Sequence, residues 1–170
     1  NIRLAQKKDL KIEFLNEVSK KELDEFWQLN QKTTEWDKFK SHDKAYYQKM
    51  LEILGSQQMA ELVLVRHQGQ VISAAILIYF NQTAIYLHGA SDHEFRKLMA
   101  NHLMQWQSIL RAQEKDCLFY DFWGIDEDKW PGITRFKKGF GGQEVDYPGC
   151  WDFVFNSFWY GVYSLARKIL

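Results

Sequence analysis

Residues 61–89, ELVLVRHQGQVISAAILIYFNQTAIYLHG, hold three β-branched and aromatic runs: Glu61 to His67, Val71 to Tyr79 and Thr83 to Gly89. Only Gln68-Gly69-Gln70 and Asn81-Gln82 separate them. Such runs favour extended backbone, and separators this short leave room for hairpin turns alone. The stretch therefore predicts a three-stranded antiparallel meander. Upstream, Lys11 to Leu15 reads as a short strand. Ser19 and Glu22 then have capping-box spacing, opening a helix with Leu23, Phe26, Trp27 and Asn30 along one face. A second helix is expected from near Ser41, with Tyr46, Tyr47, Met50, Leu51 and Leu54 inward, stopping at Gly55.

Downstream, Met99, Leu103, Trp106 and Leu110 recur at helical spacing, so a long helix follows, with Asn101 as its candidate cap. Cys117 to Asp121 is expected as a brief buried strand. Pro131 suits the first turn of a short helix ending at Gly141-Gly142. Gln143 to Tyr147 and Gly149 to Phe155 read as a closing hairpin about Pro148-Gly149. Ser157 is expected to cap a terminal helix with Phe158, Val162, Leu165 and Ile169 on one face.

With 170 residues, one domain and one core are the default. Apolar residues at 46% and seven Trp give that core ample material. Lys plus Arg and Asp plus Glu balance at 22 each, which excludes the overall basic excess behind non-specific nucleic-acid binding, so any RNA contact is local. Cys117 and Cys150 have no Cys or His partner at metal-ligand spacing, and a reducing, cytoplasmic compartment fits them as structural thiols. The five His lack zinc-site spacing, and Asp126, Glu127 and Asp128 read as a solvated loop, so no metal and no cofactor is expected. The longest apolar run, Val71 to Phe80, is about half a bilayer span, so no transmembrane segment is expected. The first residue is Asn, which reads as an excised or processed piece.

The order of strand, two helices, three meandering strands, long helix, strand, short helix and two strands is that of the GNAT acyltransferase fold. The expected class is α/β, more strictly α+β: a mixed, mostly antiparallel central sheet flanked by helices. One domain would span 1–170. Within it, 10–55 give a strand and two helices, 60–90 the meander, 92–156 the long helix, strand, short helix and hairpin, and 157–170 the terminal helix.

Three further segments narrow this. Tyr86-Leu87-His88-Gly89-Ala90-Ser91 leads into Arg96-Lys97-Leu98-Met99, Asn101-His102 and Gln105-Trp106; then comes Tyr120-Asp121-Phe122-Trp123-Gly124-Ile125; last come Gly132-Ile133 and Arg135-Phe136-Lys137-Lys138-Gly139-Phe140-Gly141-Gly142. In this order they resemble the FemABX family of aminoacyl-tRNA-dependent peptidyl transferases, including the FemX type. The similarity is clearest over Tyr86 to Asp152 and fits the second of that family's two GNAT-like domains. It implies that the side-chain amine of a peptidoglycan stem peptide attacks the ester of an aminoacyl-tRNA. The implied partners are aminoacyl-tRNA, a UDP-linked or lipid-linked muramyl pentapeptide, and a second GNAT-like domain or subunit.

The resemblance assigns Lys137 to the transition state or the tRNA acceptor end, with Phe136 stacking on the terminal adenine and Arg135 and Lys138 beside them. The alternative is a solvated helix face whose charges suit a helix C-terminus, with Phe136 in the core. Tyr46 and Tyr47 fall where the family has an aromatic pair facing the muramyl-peptide cleft; core packing is the alternative for at least one of them. His88 stands where a tyrosine is expected, and Asp43 near an expected arginine. Asp121 either orients a ligand group or caps the turn before Gly124.

Two rival functions stay open. A CoA-dependent GNAT enzyme would need a Gly-rich turn before the long helix, where this chain reads Glu94-Phe95-Arg96-Lys97-Leu98-Met99-Ala100. A non-catalytic half pairing with a Fem-type partner would fit the atypical Asp43 and His88. The terminal helix is aromatic on much of its surface and is expected to dock on the missing domain. The rival is a peripheral contact with the inner membrane face through Arg167 and Lys168.

Overall fold

The third strand, β3 (Gln70–Phe80), is buried on both faces for most of its length, and the rest of the sheet is arranged to cover it. In the computed structural model, which describes residues 1–169, five strands lie in sequence order: β1 (Leu10–Leu15), β2 (Ala60–His67), β3, β4 (Thr83–Ser91) and β5 (Phe119–Asp121). The first four pair antiparallel and β5 runs parallel to β4. Alternation sends Leu62, Leu64, Ala74 and Ile76 to one face, against Leu23, Phe26 and Leu29 of α2 (Lys20–Asp37) and Tyr47 and Leu51 of α3 (Lys44–Ser56). Val63, Val65, Ala75 and Leu77 face the other way, against Ala100, Met104 and Ala112 of α4 (Ala100–Glu114). Each such side chain contributes roughly 1.5–3 kcal/mol when fully buried. The expected meander and the helices on both faces are present.

Local chemistry sets the helix ends. Ser19 N–H donates to Glu22 Oε2 at 2.7 Å and Glu22 N–H to Ser19 Oγ, the predicted capping box. α3 begins at Lys44 rather than near Ser41, because the Asp43 carboxylate caps it, accepting from Tyr46 N–H at 2.8 Å. Asn101 does not cap α4: the cap lies two residues earlier, at Met99 in the left-handed region (φ 56°), and the Asn101 amide oxygen accepts from Ser73 instead. A short helix α1 (Ile2–Ala5) was not legible in the sequence. The expected buried strand at Cys117 shrinks to Phe119–Asp121, and Phe119 is exposed.

One carboxylate is wholly buried in the sheet. Burial raises the carboxyl pKa of Glu61, but hydrogen bonds from Arg111 and Tyr79 outweigh it and hold the group below its ordinary range. Arg111 Nη2 lies 2.8 Å from Oε1, Tyr79 Oη 2.6 Å from Oε2 and Lys115 Nζ 3.3 Å from Oε1. Arg111 also covers the Phe14 ring and Lys115 the Tyr79 ring, so the cluster ties the end of α4 to β1, β2 and β3.

The chain falls into two compact units, Asn1–Asp126 and Glu127–Leu170. The second holds α5 (Pro131–Lys138), with Pro131 at its first turn as expected, and α6 (Ser157–Ile169). The Asn156 side chain caps α6, accepting from the N–H groups of Phe158 and Trp159, so Ser157 is not the cap. The expected hairpin over 143–155 is absent: those residues form no strand. Val145, Tyr147, Trp151, Phe153 and Phe155 are all exposed, so no buried face fixes a register, and Pro148 lacks an N–H to pair. Leu170 and the side chains of Lys168 and Ile169 lie outside the described residues.

Truncating Arg111 leaves Glu61 buried with an uncompensated charge. Arg111→Met should cost about 3 kcal/mol in urea unfolding. An unchanged midpoint would mean that Tyr79 and Lys115 suffice for Glu61.

Candidate active site

β4 carries an irregularity that decides where its polar side chains go. Its register with β3 runs Leu77↔Tyr86 and then Ile76↔His88, leaving Leu87 as an extra residue. In an unbroken strand Tyr86 and His88 would share a face; the bulge places them on opposite faces. Tyr86 packs with the α4-side cluster, and His88 lies 5.1 Å from Tyr47 on the α2/α3 side. β5 pairs with β4 only from Thr83 to Ile85, so the two strands separate beyond that point. Asp121 Oδ1 accepts from Trp123 N–H at 2.7 Å, with Trp123 at φ 64°. Asp121 therefore shapes the turn that leads the chain out of the sheet.

On the α4 side, Tyr120 Oη donates to Oε1 of the fully buried Gln105 at 2.7 Å. Burial pushes the Tyr86 phenol up to about 12, offset in part by the neighbouring Gln105 amide. Gly89 makes room for this phenol: a Cβ there would fall 1.7 Å from Tyr86 Oη. A side chain at 89 would displace the Tyr86 phenol from its place against the α4-side cluster.

On the α3 side four rings meet. His42 stacks on Tyr46 at 4.0 Å, and His88 stands nearly perpendicular to Tyr47, to His42 (5.9 Å) and to Tyr46 (6.1 Å). Tyr47 is 2% exposed and packs edge-on against Phe26, with burial raising its phenol; it supports the cluster from the core and offers no surface. Tyr46 is 40% exposed and His42 is also exposed. His88 Nε2 is screened from solvent and has no hydrogen-bond partner.

The basic segment lies in the second unit, on α5. Phe136 meets Phe140 at 5.5 Å, and Phe136 and Lys137 are half-buried, whereas Arg135 is exposed. Lys138 is held by Glu127 at 2.6 Å and Glu144 at 2.8 Å, and these hydrogen bonds raise its ammonium pKa. Its charge is spent within that unit. Tyr46, Tyr47 and His88 are thus brought together in one unit, and Arg135, Phe136, Lys137 and Lys138 in the other. The sequence reading missed His42, and it missed the Tyr86–Gln105–Tyr120 group. Gln105, a glutamine beside Leu103 and Met104 that is buried on α4 with them, was the one available sign.

A bulged antiparallel sheet whose last two strands diverge, flanked by helices on both faces, is the architecture of GNAT-type acyltransferases. An aminoglycoside acetyltransferase from an uncultured soil metagenomic sample matches 86% of this chain and 97% of its own at TM-score 0.62 and 14% identity. FemX matches 75% of this chain and 47% of its own at TM-score 0.68 and 23% identity. The FemAB family signature matches residues 1–69 and 57–168, and the chain belongs to that family. A lipid II:glycine glycyltransferase of Staphylococcus epidermidis is 30% identical over 116 residues, 65% of this chain and 27% of that protein. Its Staphylococcus aureus counterpart is 33% identical over 107 residues, 60% of this chain and 25% of that protein. The chain spans about a quarter of the length of these relatives.

Two outcomes test this geometry. Gly89→Ala should destabilise the chain by about 1–3 kcal/mol through overpacking, and much less when Tyr86→Leu removes the opposing phenol. Additive losses in denaturant unfolding would contradict the clash. Burial, with His42 adding to it, lowers the His88 imidazole from 6.5 to about 4. The unfolded chain then takes up this proton first, so the contribution is full above pH 6.5 and is lost as pH falls towards 4. His88→Phe should flatten the stability profile across that window.

Proposed function

We propose that this chain is the transferase half of a FemX-like aminoacyltransferase. It would join an amino acid from aminoacyl-tRNA to the stem-peptide side-chain amine of a peptidoglycan precursor. The observation that carries this reading is the FemAB family match along nearly the whole chain, combined with strands β4 and β5 that pair only as far as Ile85 and Asp121. The names of the staphylococcal relatives supply the chemistry: transfer of glycine to lipid II.

The step balances without a cofactor. The amine nitrogen bonds to the ester carbonyl carbon, the ester C–O bond breaks, and a proton from nitrogen ends on the ribose oxygen of the leaving tRNA. Such a reaction needs a neutral amine, a positive group at the developing oxyanion and exclusion of water. Lys137 supplies the cation in this reading, with Phe136 stacking on the terminal adenine and Arg135 reaching phosphate. Lys138 serves the fold of its own unit through Glu127 and Glu144.

The reading also calls for a partner. Phe158, Trp159, Val162, Tyr163 and Leu165 of α6 are all exposed, an apolar surface suited to a second GNAT-like domain. No helix among the described residues is long and apolar enough to cross a membrane. Lipid-linked acceptor would then be met at the surface of the inner membrane face, and the site of action is cytoplasmic in this reading.

Single-turnover transfer from charged tRNA to a UDP-linked pentapeptide, with and without a supplied first domain, tests the proposal. Lys137→Met should lower the rate about a hundredfold or more while changing stability little. An unchanged rate in the assembled enzyme would remove Lys137 from the chemistry, and no transfer with any supplied domain would favour the non-catalytic alternative.

A further inference from the structure

Two segments far apart in the sequence, residues 1–9 and 93–102, lie side by side on the α4 side of the sheet. They are tied at both ends. Asn1 Nδ2 lies 3.0 Å from His102 Nε2, and at the other end His67 Nδ1 lies 2.9 Å from Asp9 O while its ring meets Phe95 at 6.2 Å. Each segment turns an apolar pair inward at a spacing of three. Ile2 is half-buried and Ala5 buried in α1, and Phe95 and Leu98 of the 3-10 helix His93–Leu98 pack on the α4-side cluster. Arg3, Leu4, Lys7, Lys8, Arg96 and Lys97 are left outside, all exposed.

Five of these six are cations, and among the described residues none of the five has an ion-pair partner. Lys32, Lys44, Arg66, Arg111, Lys115 and Lys138, by contrast, are each held by a carboxylate. The two segments carry only two acids, Asp9 and Glu94, and neighbouring Asp92 is taken by Lys32 at 2.9 Å. A chain with 22 basic and 22 acidic residues has no general pull on polyanions, so a local excess of this kind orients the molecule.

We propose that this face docks the chain on an anionic lipid surface. Arg3, Lys7, Lys8, Arg96 and Lys97 meet the headgroup phosphates, and Leu4, 44% exposed, enters the interface between them. Leu4 decides between a lipid surface and RNA, the other polyanion that these cations suit. Single-stranded RNA is gripped by aromatic rings that stack on its bases. Phe95, the one benzene ring in the two segments, packs inward, and the exposed indole of Trp36 already stacks on His93 at 4.0 Å. An exposed leucine among lysines gains nothing from phosphate and gains from the acyl boundary. No helix among the described residues is long and apolar enough to cross a bilayer, and one leucine with five cations gives reversible, salt-sensitive contact. The proposal does not rest on the transferase reading; in that reading it brings the enzyme to a lipid-linked acceptor.

Co-sedimentation of the whole chain with vesicles of equal parts phosphatidylglycerol and phosphatidylcholine tests this without any turnover. Binding is expected to the mixed vesicles, with none to phosphatidylcholine alone, and is lost at about 1 M salt, where the Debye length is about 3 Å. Each Lys or Arg near such a surface contributes about fivefold in affinity, so Lys7→Gln with Lys8→Gln should weaken binding about 25-fold, and Arg96→Gln with Lys97→Gln likewise. Lys20→Gln with Lys21→Gln removes the same charge from exposed positions at the start of α2, over the opposite face of the sheet, and should leave affinity unchanged. Leu4→Asn should weaken binding about threefold or more without altering its salt dependence. All these positions are exposed, and an unchanged urea midpoint separates lost binding from lost fold. The proposal is overturned by equal binding to phosphatidylcholine, by equal weakening in the Lys20 and Lys21 variant, or by a loss confined to Trp159→Glu, which would put the contact on α6. Binding to an RNA hairpin through these residues, with no binding to the anionic vesicles, overturns it in favour of RNA.

Discussion

Everything in the first unit depends on β3 having no polar side. A strand buried on both faces must have strands on both edges and helices above and below, and the chain supplies β2 and β4, α2 with α3, and α4. The layers are therefore a consequence of one ten-residue apolar run rather than of any helix. Glu61 is the exception that proves costly to alter. Its carboxylate enters the apolar interior only because Arg111, Tyr79 and Lys115 reach it from two other elements. The same contacts fix the C-terminal end of α4 against the sheet.

A second constraint, the extra residue at Leu87, sends neighbouring polar side chains of β4 to opposite faces of the sheet. Without it Tyr86 and His88 would crowd the same face and the other face of β4 would carry no polar group there. With it, the strand offers a phenol to Gln105 and Tyr120 on one side and an imidazole to the His42–Tyr46–Tyr47 rings on the other. Gly89 belongs to the same device, since only a residue without a Cβ leaves Tyr86 its place. Strand divergence after Ile85 then opens the polar edge that β5 would otherwise have covered.

The two units differ in what stabilises them. The first is closed around two apolar clusters. In the second, short helices and an irregular segment display Trp151, Phe153, Phe155, Phe158 and Trp159 on the surface. Electrostatic ties such as Lys138 with Glu127 and Glu144 are solvent-exposed and individually weak. A region this apolar and this exposed buries little within itself, which is why a partner domain enters the functional reading.

The sequence by itself determined the elements whose cause is local. The capping box at Ser19 and Glu22, the two tight turns of the meander, the long amphipathic helix and Pro131 at a helix start depend on residues a few positions apart, and periodicity reports them. The motifs around His88, Asp121 and Lys137 likewise pointed to the family that the comparison found. Tertiary structure alone decided which side of the sheet each polar residue reaches, because a one-residue bulge reverses the alternation that sequence reading assumes. It also decided that Tyr47 is core while Tyr46 is surface, that Asp43 is a helix cap, and that the apolar segment 143–155 forms no hairpin. An alternating pattern specifies a strand only when another surface is present to bury one of its faces.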